Sequence, residues 1–173
     1  MEGVYNVHSK LKWNFFSSLS VNTVIILINI VAFIIFTILF YSNPNFIDFV
    51  AIKPANILQG NYMWTFLTSM FMHAGFFHLF ANMLSLLFIG SLVERLLGGK
   101  RYFYFYLFSG LFAGLFFIIS ALFITADYNS FAVGASGAIF GLVGLLMLLT
   151  PNLPVFVMFI PIPIKMKYAA PGI

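Results

Sequence analysis

The feature that most constrains this chain is the run of residues 21–41, which carries no charged side chain and is rich in isoleucine, valine and phenylalanine. An apolar helix of about 20 residues is long enough to cross the hydrocarbon core of a bilayer. The whole chain has the same character, since 62% of its 173 residues are hydrophobic and 7% are charged. A soluble domain is about a quarter charged, so the composition places this chain in a lipid bilayer.

Composition also excludes several classes of function. The net charge of +4 is spread along the chain, without the basic run that is typical of nucleic-acid binding. There is no cysteine, which excludes disulfides and thiolate chemistry. The three histidines and four carboxylates are too few and too dispersed to form a metal site. We therefore expect no nucleic acid, no metal and no other cofactor.

Lys10 and Lys12 precede the first apolar run, as basic residues do in a signal peptide. However, the run is too long for the apolar region of such a peptide, and no small-residue cleavage site follows it. We interpret residues 21–41 as a retained first helix. Residues 1–19 are then an N-terminal tail, and residues 20–173 form one membrane domain.

Apolar segments recur along the chain and are separated by helix-stopping residues such as Gly98 and Gly99. They predict helices over residues 21–41, 74–97, 102–124 and 135–150. The connection 42–72 is long and largely apolar, and its Tyr62 and Trp64 suit the membrane interface. Together these features predict an all-α fold, a polytopic membrane helix bundle with about four complete spans.

Basic residues near the helix ends predict the orientation of the bundle. They lie in the N-terminal tail, between the second and third helices, and after the fourth helix: Lys10, Lys12, Arg95, Lys100, Arg101, Lys165 and Lys167. Consecutive spans put these three segments on one side of the membrane. By the positive-inside rule that side, with the N-terminus, is cytoplasmic. The second and fourth helices therefore both begin at the outer side.

Three polar side chains are expected to meet near that outer side. His78 and Asn82 are four residues apart and so share a face of the second helix, while Ser136 lies at the start of the fourth. In one interpretation Ser136 is a nucleophile for acyl transfer and the other two stabilise the oxyanion. In the other, they are polar contacts between helices, worth about 0.6 kcal/mol each. Spacing alone favours the second interpretation.

Three segments together resemble motifs of the rhomboid family of intramembrane serine proteases. Residues 134–137 (GASG) match the GxSG motif, residues 73–82 (HAGFFHLFAN) resemble the second-helix motif, and residues 90–98 (GSLVERLLG) resemble the end of that helix. The order of the motifs and the long first connection also agree, over roughly residues 20–170. GxSG alone is a weak signal, but three motifs in the right places are specific.

The resemblance implies a role for each polar residue. Ser136 is the nucleophile, which attacks a peptide bond in the transmembrane segment of a substrate protein. His78 and Asn82 stabilise the oxyanion together with the backbone N–H of Ser136. These implied roles favour the catalytic interpretation over simple polar contacts.

The same resemblance implies a six-helix core around a water-filled cavity that opens to the outer side. His73, Gly134 and Gly137 are then expected to lie at the cavity. Phe140 lies one turn after the serine, where the family places an aromatic ring against its catalytic base. About four complete helices of the six-helix core are expected in this chain.

The chain departs from the family pattern at the general base. In the family this base is a histidine on the sixth helix, whereas this chain ends at Ile173, close to where a fifth helix would begin. We therefore expect a membrane domain that is incomplete at its C-terminus and lacks the base. His8 is expected on the wrong side of the membrane, and neither His73 nor His78 is expected to replace it.

Two further departures concern packing. Gly137, Gly141 and Gly144 form a stripe of small residues that requires a helix at close range. The family's partner is the sixth helix, so the stripe is expected to face lipid in this chain and to weaken it. The first connection has Trp64-Thr65 where the family often shows Trp-Arg, which puts the structural role of that arginine in doubt.

Other features have simple structural interpretations. Glu94 and Arg95 are expected to be charges in water at a helix end, worth at most about 1 kcal/mol as a pair. The aromatic cluster 102–106 is interpreted as an interfacial belt. Gly110 and Gly114 give the third helix a face of small residues.

Three hypotheses for function remain. The first is an intramembrane serine endopeptidase of the rhomboid type, in the plasma membrane of a prokaryote, acting on a transmembrane protein in the bilayer. The second is a non-catalytic rhomboid-like protein that binds transmembrane helices. The third, a transporter, is weakest, because coupled transport usually needs an ionisable residue within a span and only histidine is available. The sequence leaves the oligomeric state open.

Overall fold

The computed structural model describes residues 19–155 and 164–169. Its long helices are α1 (Val21–Ser42), α2 (Phe76–Leu97), α3 (Gly99–Thr125) and α4 (Ser136–Leu149). The predicted helices are therefore confirmed, and most of their ends lie within two or three residues of the predicted ones. His8, Lys10 and Lys12, and the proline pair Pro161 and Pro163, lie outside the described residues.

Length and composition make three of these helices long enough to cross a membrane. α1 and α2 have 22 residues each and α3 has 27, and all three are strongly apolar. The apolar helix α4 is shorter, with 14 residues. The ends follow local chemistry. The side chain of Ser20 accepts a hydrogen bond from the N–H of Thr23 at 3.1 Å at the start of α1. Gly98, with a φ of +78°, separates α2 from α3.

The first connection (residues 43–75) is built from short helical turns and is not an open loop. Its turns are Pro44–Phe46, Ile47–Val50, Pro54–Leu58, Thr65–Thr68 and Ser69–Phe71. The indole N–H of Trp64 donates to the carbonyl of Phe49 at 2.9 Å. Thr65, at the position of the family's arginine, is buried. Hydrogen bonds within the connection therefore satisfy part of its own backbone.

This connection packs into the small-residue face of α3. Met70 fills the space beside Gly110, and Ile52 and Phe66 lie over Gly114, so that a side chain at either glycine would collide with them. The close approach that small residues permit is thus used by side chains of a connection, not by another helix.

The expectation that the glycine stripe of α4 faces lipid is wrong for two of its three members. Side chains at Gly137 and Gly141 would collide with Ala113 and Ser109 of α3. No atom of the described residues lies within 4 Å of a side chain at Gly144. The stripe packs on α3 because both helices carry small residues at the same level. The predicted weakness of the chain loses this support.

The core is formed where α4 crosses the other helices. Ala138, Leu142 and Leu146 of α4 are almost fully buried and pack with Leu86 of α2 and Tyr106 of α3. The aromatic cluster 102–106 is split accordingly, because Tyr102 and Tyr106 are buried while Phe103 and Tyr104 are exposed. The interpretation of the whole cluster as an interfacial belt is therefore wrong for the two buried tyrosines.

A buried asparagine joins three helices. The side-chain amide of Asn22 in α1 donates to the carbonyl of Leu86 at 2.8 Å and to the hydroxyl of Ser91 at 3.1 Å in α2. Its oxygen accepts from the hydroxyl of Tyr102 in α3 at 2.6 Å. A side chain at Gly90 would collide with the Asn22 oxygen. Residues 86–90 form a π-helical turn, the kind of local widening that a side chain inserting into a helix accompanies.

Glu94 is not a free charge in water, contrary to expectation. Its carboxylate accepts the backbone N–H groups of Val21 at 2.8 Å and of Asn22 at 3.1 Å. These are unsatisfied donors at the start of α1, where a negative charge also interacts favourably with the helix dipole. Glu94 therefore caps α1 from the end of α2. The prediction failed because capping between helices leaves no local sequence pattern.

The segment after α4 makes one small pairing. Residues Pro154–Val155 (β1) and Ile164–Lys165 (β2) pair antiparallel, a contact that the sequence analysis did not predict. The N–H of Met166 donates to the carbonyl of Leu153 at 2.9 Å, and Met166 is buried in the core.

Replacing glycine at the contact between α3 and α4 should destabilise the protein. Gly141→Ala forces a methyl group into Ser109, so we expect the free energy of unfolding to fall by about 1–3 kcal/mol. Gly144→Ala is the matched control on the same helix, and its better helix propensity should leave stability unchanged or raise it by up to about 1 kcal/mol. Unfolding of the purified protein in detergent by added SDS measures both. Equal effects of the two variants would contradict the packing described.

Removing the charge of Glu94 should weaken the start of α1. Glu94→Gln keeps the shape of the side chain but loses the carboxylate, so we expect a loss of about 1 kcal/mol in unfolding free energy. Arg95→Gln, at the exposed neighbouring position, is the control. Hydrogen exchange at the amides of Val21 and Asn22 should be faster in the first variant alone. Unchanged exchange in Glu94→Gln would show that the carboxylate does not cap α1.

Candidate active site

The turn that carries Ser136 has one residue in a conformation that favours glycine. Gly134 has a φ of +107°, a conformation that side chains disfavour. Its N–H donates to the carbonyl of Ser69 in the first connection at 2.8 Å. Ala135 follows as the N-cap, and Ser136 is the first residue of α4. The serine is therefore held at a helix N-terminus, where backbone N–H groups lack partners within the helix.

The polar pair of α2 lies against this turn. A side chain at Gly134 would come within 2.7 Å of Nε2 of His78 and 3.7 Å of Nδ2 of Asn82. The close approach requires glycine, independently of its φ. His78 and Asn82 therefore lie against Gly134, which precedes Ser136 by two residues in the sequence.

Asn82 is buried and partly committed to its own helix. Its side-chain amide donates to the carbonyl of His78 at 2.9 Å, and the residue is 5% exposed. A primary amide carries two N–H donors. One donor therefore remains for a ligand at the site, while the bond to the backbone fixes the direction in which it points.

His73 stands behind His78. The two rings make an edge-to-face contact with centroids 5.1 Å apart. His73 is 5% exposed. Within the ranges 19–155 and 164–169, neither of its ring nitrogens has a hydrogen-bond partner in bonding geometry. Burial, and after it the charge of His78, lowers the pKa of His73 to about 4. His73 is therefore neutral at pH 7 and supports the ring of His78 by packing.

Two cavities adjoin the site. One, of about 180 Å³, is lined by Gly134, Ser136 and Gly137 together with the first connection and the glycine face of α3. The other, of about 500 Å³, lies between the second half of α1 and the start of α2, and His73 forms part of its wall. His73, Gly134 and Gly137 thus border cavities, although Gly137 also packs against α3.

Phe140 is not drawn into the site. It is 56% exposed and makes no aromatic pair with another residue of the ranges 19–155 and 164–169. Across the same residues, no three histidines or carboxylates lie close enough to hold a metal ion.

Sequence analysis missed the contacts that hold the turn from the other side. Ile52 of the first connection forms an isolated antiparallel bridge with Ala132, and the N–H of Ala55 donates to the carbonyl of Tyr128 at 2.9 Å. These contacts use backbone atoms, so no residue type identifies them. The low number of charges in the first connection was the remaining signal, because it indicates burial.

A comparison with known proteins identifies the family of this chain. A family model described as the Rhomboid domain matches residues 60–170, well over half of the chain, including every candidate site residue. The chain belongs to the rhomboid family. With its long apolar helices, it is an integral membrane protein.

Individual relatives match over about half of the chain. RHOMBOID-like protein 1 of Arabidopsis thaliana is 40% identical over 97 residues, which are 56% of this chain and 23% of that protein. Rhomboid protease GluP of Bacillus subtilis (strain 168) is 38% identical over 101 residues, 58% of this chain and 18% of that protein. Inactive RHOMBOID-like protein 8 of Arabidopsis thaliana is 34% identical over 91 residues, which are 53% of this chain and 24% of that protein. The chain thus spans less than a quarter of each of these relatives.

The buried, neutral His73 should make stability depend on pH. Its folded pKa of about 4 lies below the ordinary value of 6.5, so the unfolded chain takes up this proton first as the pH falls. Stability is then complete above about pH 6.5 and is lost progressively toward pH 4. We expect the thermal unfolding midpoint to fall between pH 7 and pH 5, and to fall less in His73→Gln. The same slope in both proteins would contradict this origin.

Proposed function

We propose that this protein is an intramembrane serine endopeptidase of the rhomboid type. The observation that carries the proposal is the contact of His78 and Asn82 with Gly134, two residues before Ser136. Ser136 begins a helix, and two side chains that can donate hydrogen bonds lie against the turn just before it. This arrangement supports acyl transfer. The relative GluP is named as a rhomboid protease, which supports the same class of function.

In the proposed reaction, the Ser136 hydroxyl attacks the carbonyl carbon of a peptide bond. Negative charge develops on the carbonyl oxygen as the tetrahedral intermediate forms. His78, the free N–H of Asn82 and the backbone N–H of Ser136 then donate hydrogen bonds to that oxygen. Such fixed donors act mainly on the transition state, and removing one typically costs about 100- to 1000-fold in kcat.

The attacking hydroxyl also needs a base to accept its proton, because serine is a weak nucleophile without one. Both histidines in the described ranges are assigned to other places, His78 at the oxyanion and His73 behind it. We propose that the base is a histidine supplied by further helices, from the same gene or from a second chain. By the family pattern, its ring would lie against Phe140, which is exposed in this structure.

The proposed substrate is the transmembrane segment of another membrane protein. The candidate site lies at the start of α2 and of α4, which is the same side of the bundle if the helices alternate across the membrane. The opposite side carries three basic residues, Arg95 at the end of α2 and Lys100 and Arg101 at the start of α3. These residues favour a cytoplasmic location for that side. We propose a cytoplasmic tail over residues 1–19, a membrane domain from residue 20 onward, and the plasma membrane of a prokaryote.

A second candidate is a non-catalytic protein that binds transmembrane helices. The observation that favours it is the 34% identity to the relative named Inactive RHOMBOID-like protein 8. The same helix packing and the same cavities serve binding without cleavage. The two candidates differ in whether Ser136 reacts.

Reaction of Ser136 with a fluorophosphonate probe tests the proposal. We expect membranes that contain the full-length protein to label at Ser136, and Ser136→Ala to abolish labelling. Asn82→Ala should slow labelling and peptide-bond cleavage by about 100-fold. Ser42→Ala, which removes an exposed hydroxyl at the far end of α1, is the control and should label normally.

The outcome separates the two candidates. Labelling and cleavage that depend on Ser136 support the endopeptidase. Absence of labelling in the full-length protein, with transmembrane helices still captured by photo-crosslinking, supports the binding protein.

A further inference from the structure

The position of Ser136 depends on how the third connection (residues 126–135) is held. The connection has no regular helix, and Gly134, with its positive φ, lies two residues before the serine. Apart from its contacts with α2, it is fixed by the first connection through backbone bonds. Ile52 and Ala132 exchange N–H to carbonyl bonds of 3.1 Å and 2.9 Å, and Gly134 donates to Ser69 at 2.8 Å.

A side-chain contact extends this backbone bridge. In an antiparallel pairing of Ile52 with Ala132, the next opposed pair is Lys53 with Phe131. The ammonium group of Lys53 lies 5.1 Å from the centre of the Phe131 ring, within the range of a cation–π interaction. This contact adds to four backbone hydrogen bonds between the two connections, which are the two between Ile52 and Ala132, one from Ala55 to Tyr128 and one from Gly134 to Ser69.

The Lys53 side chain is itself held in place. Its ammonium lies 3.5 Å from the carboxylate of Asp48, and the two side chains are 22% and 30% exposed. The same carboxylate oxygen accepts the side-chain amide of Asn56 at 3.0 Å. Asp48 and Asn56 are both within the first connection. The cation is therefore fixed from one side by the first connection and presents its charge to a ring in the third.

We propose that Lys53 is a positioning residue for Ser136, acting through Phe131 to hold the serine-bearing turn against the first connection. The inference rests on the proposed function, in which Ser136 reacts. It also makes a structural claim that can be tested without any activity. If the ring of Phe131 moves, the backbone of Ala132 and Gly134 loses its register with Ile52 and Ser69, and the serine moves with it.

The kinetic test uses Lys53→Met, which keeps the length of the side chain and removes its charge. The maximal rate of fluorophosphonate labelling of the full-length protein should fall about two- to five-fold, the range for one exposed cation–π contact. The probe concentration at half-maximal rate should stay the same, because Lys53 does not touch the probe. Lys53→Arg keeps the cation and should restore the rate. Lys100→Met is the matched control.

A double-mutant cycle tests whether the contact is with Phe131. Phe131→Leu should slow labelling by the same factor as Lys53→Met, and the double variant should be no slower than either alone. Phe123→Leu, at an exposed ring at the end of α3, is the control. Additive effects, or a normal rate in Phe131→Leu, would overturn the proposal.

Hydrogen exchange separates failure of this inference from failure of the proposed function. In Lys53→Met the amides of Ala132 and Gly134 should exchange faster, and Lys53→Arg should restore their protection. If Ser136 does not label at all, the proposed function fails and exchange alone decides whether Lys53 holds the turn. Unchanged exchange in Lys53→Met would overturn the inference, whatever the labelling shows.

Discussion

The buried side chain of Asn22 is the interaction on which the arrangement of the helices depends. An amide in the hydrocarbon region is costly unless its donors and acceptor all find partners. Here they find them on two other helices, in Leu86, Ser91 and Tyr102. The bonds fix α1, α2 and α3 at one level and coincide with the π-helical turn of α2. They therefore fix the base of the helix whose other half carries His78 and Asn82.

The candidate site is assembled from pieces that are distant in sequence. α2 contributes the polar pair, the third connection contributes the turn before Ser136, and the first connection holds that turn through Ile52 and Ser69. Small residues at the contact between α3 and α4 let these pieces approach closely. The position of Ser136 thus depends on backbone contacts, which no residue type identifies in the sequence.

Features that depend on the composition of long segments were predicted correctly from the sequence. Features that depend on packing between helices were not. Uninterrupted apolar runs and glycine stops gave the four helices to within a few residues. The spacing of His78 and Asn82 gave their shared face. The roles of Glu94, Tyr102 and the glycines of α4 were mistaken, because each depends on which element lies opposite. Asn22 was a signal that could have been used, since an amide inside an apolar run requires partners.

The seating of the first connection in the glycine face of α3 has a consequence for the order of biogenesis. The chain is synthesised from its N-terminus, so Met70, Phe66 and Ile52 emerge before the residues that form their binding surface, Gly110 and Gly114. Until α3 has entered the membrane, these side chains have nowhere to pack. The first connection therefore cannot complete its packing until α2 and most of α3 have been synthesised. A delay in inserting α3 would leave it exposed to proteases and to aggregation.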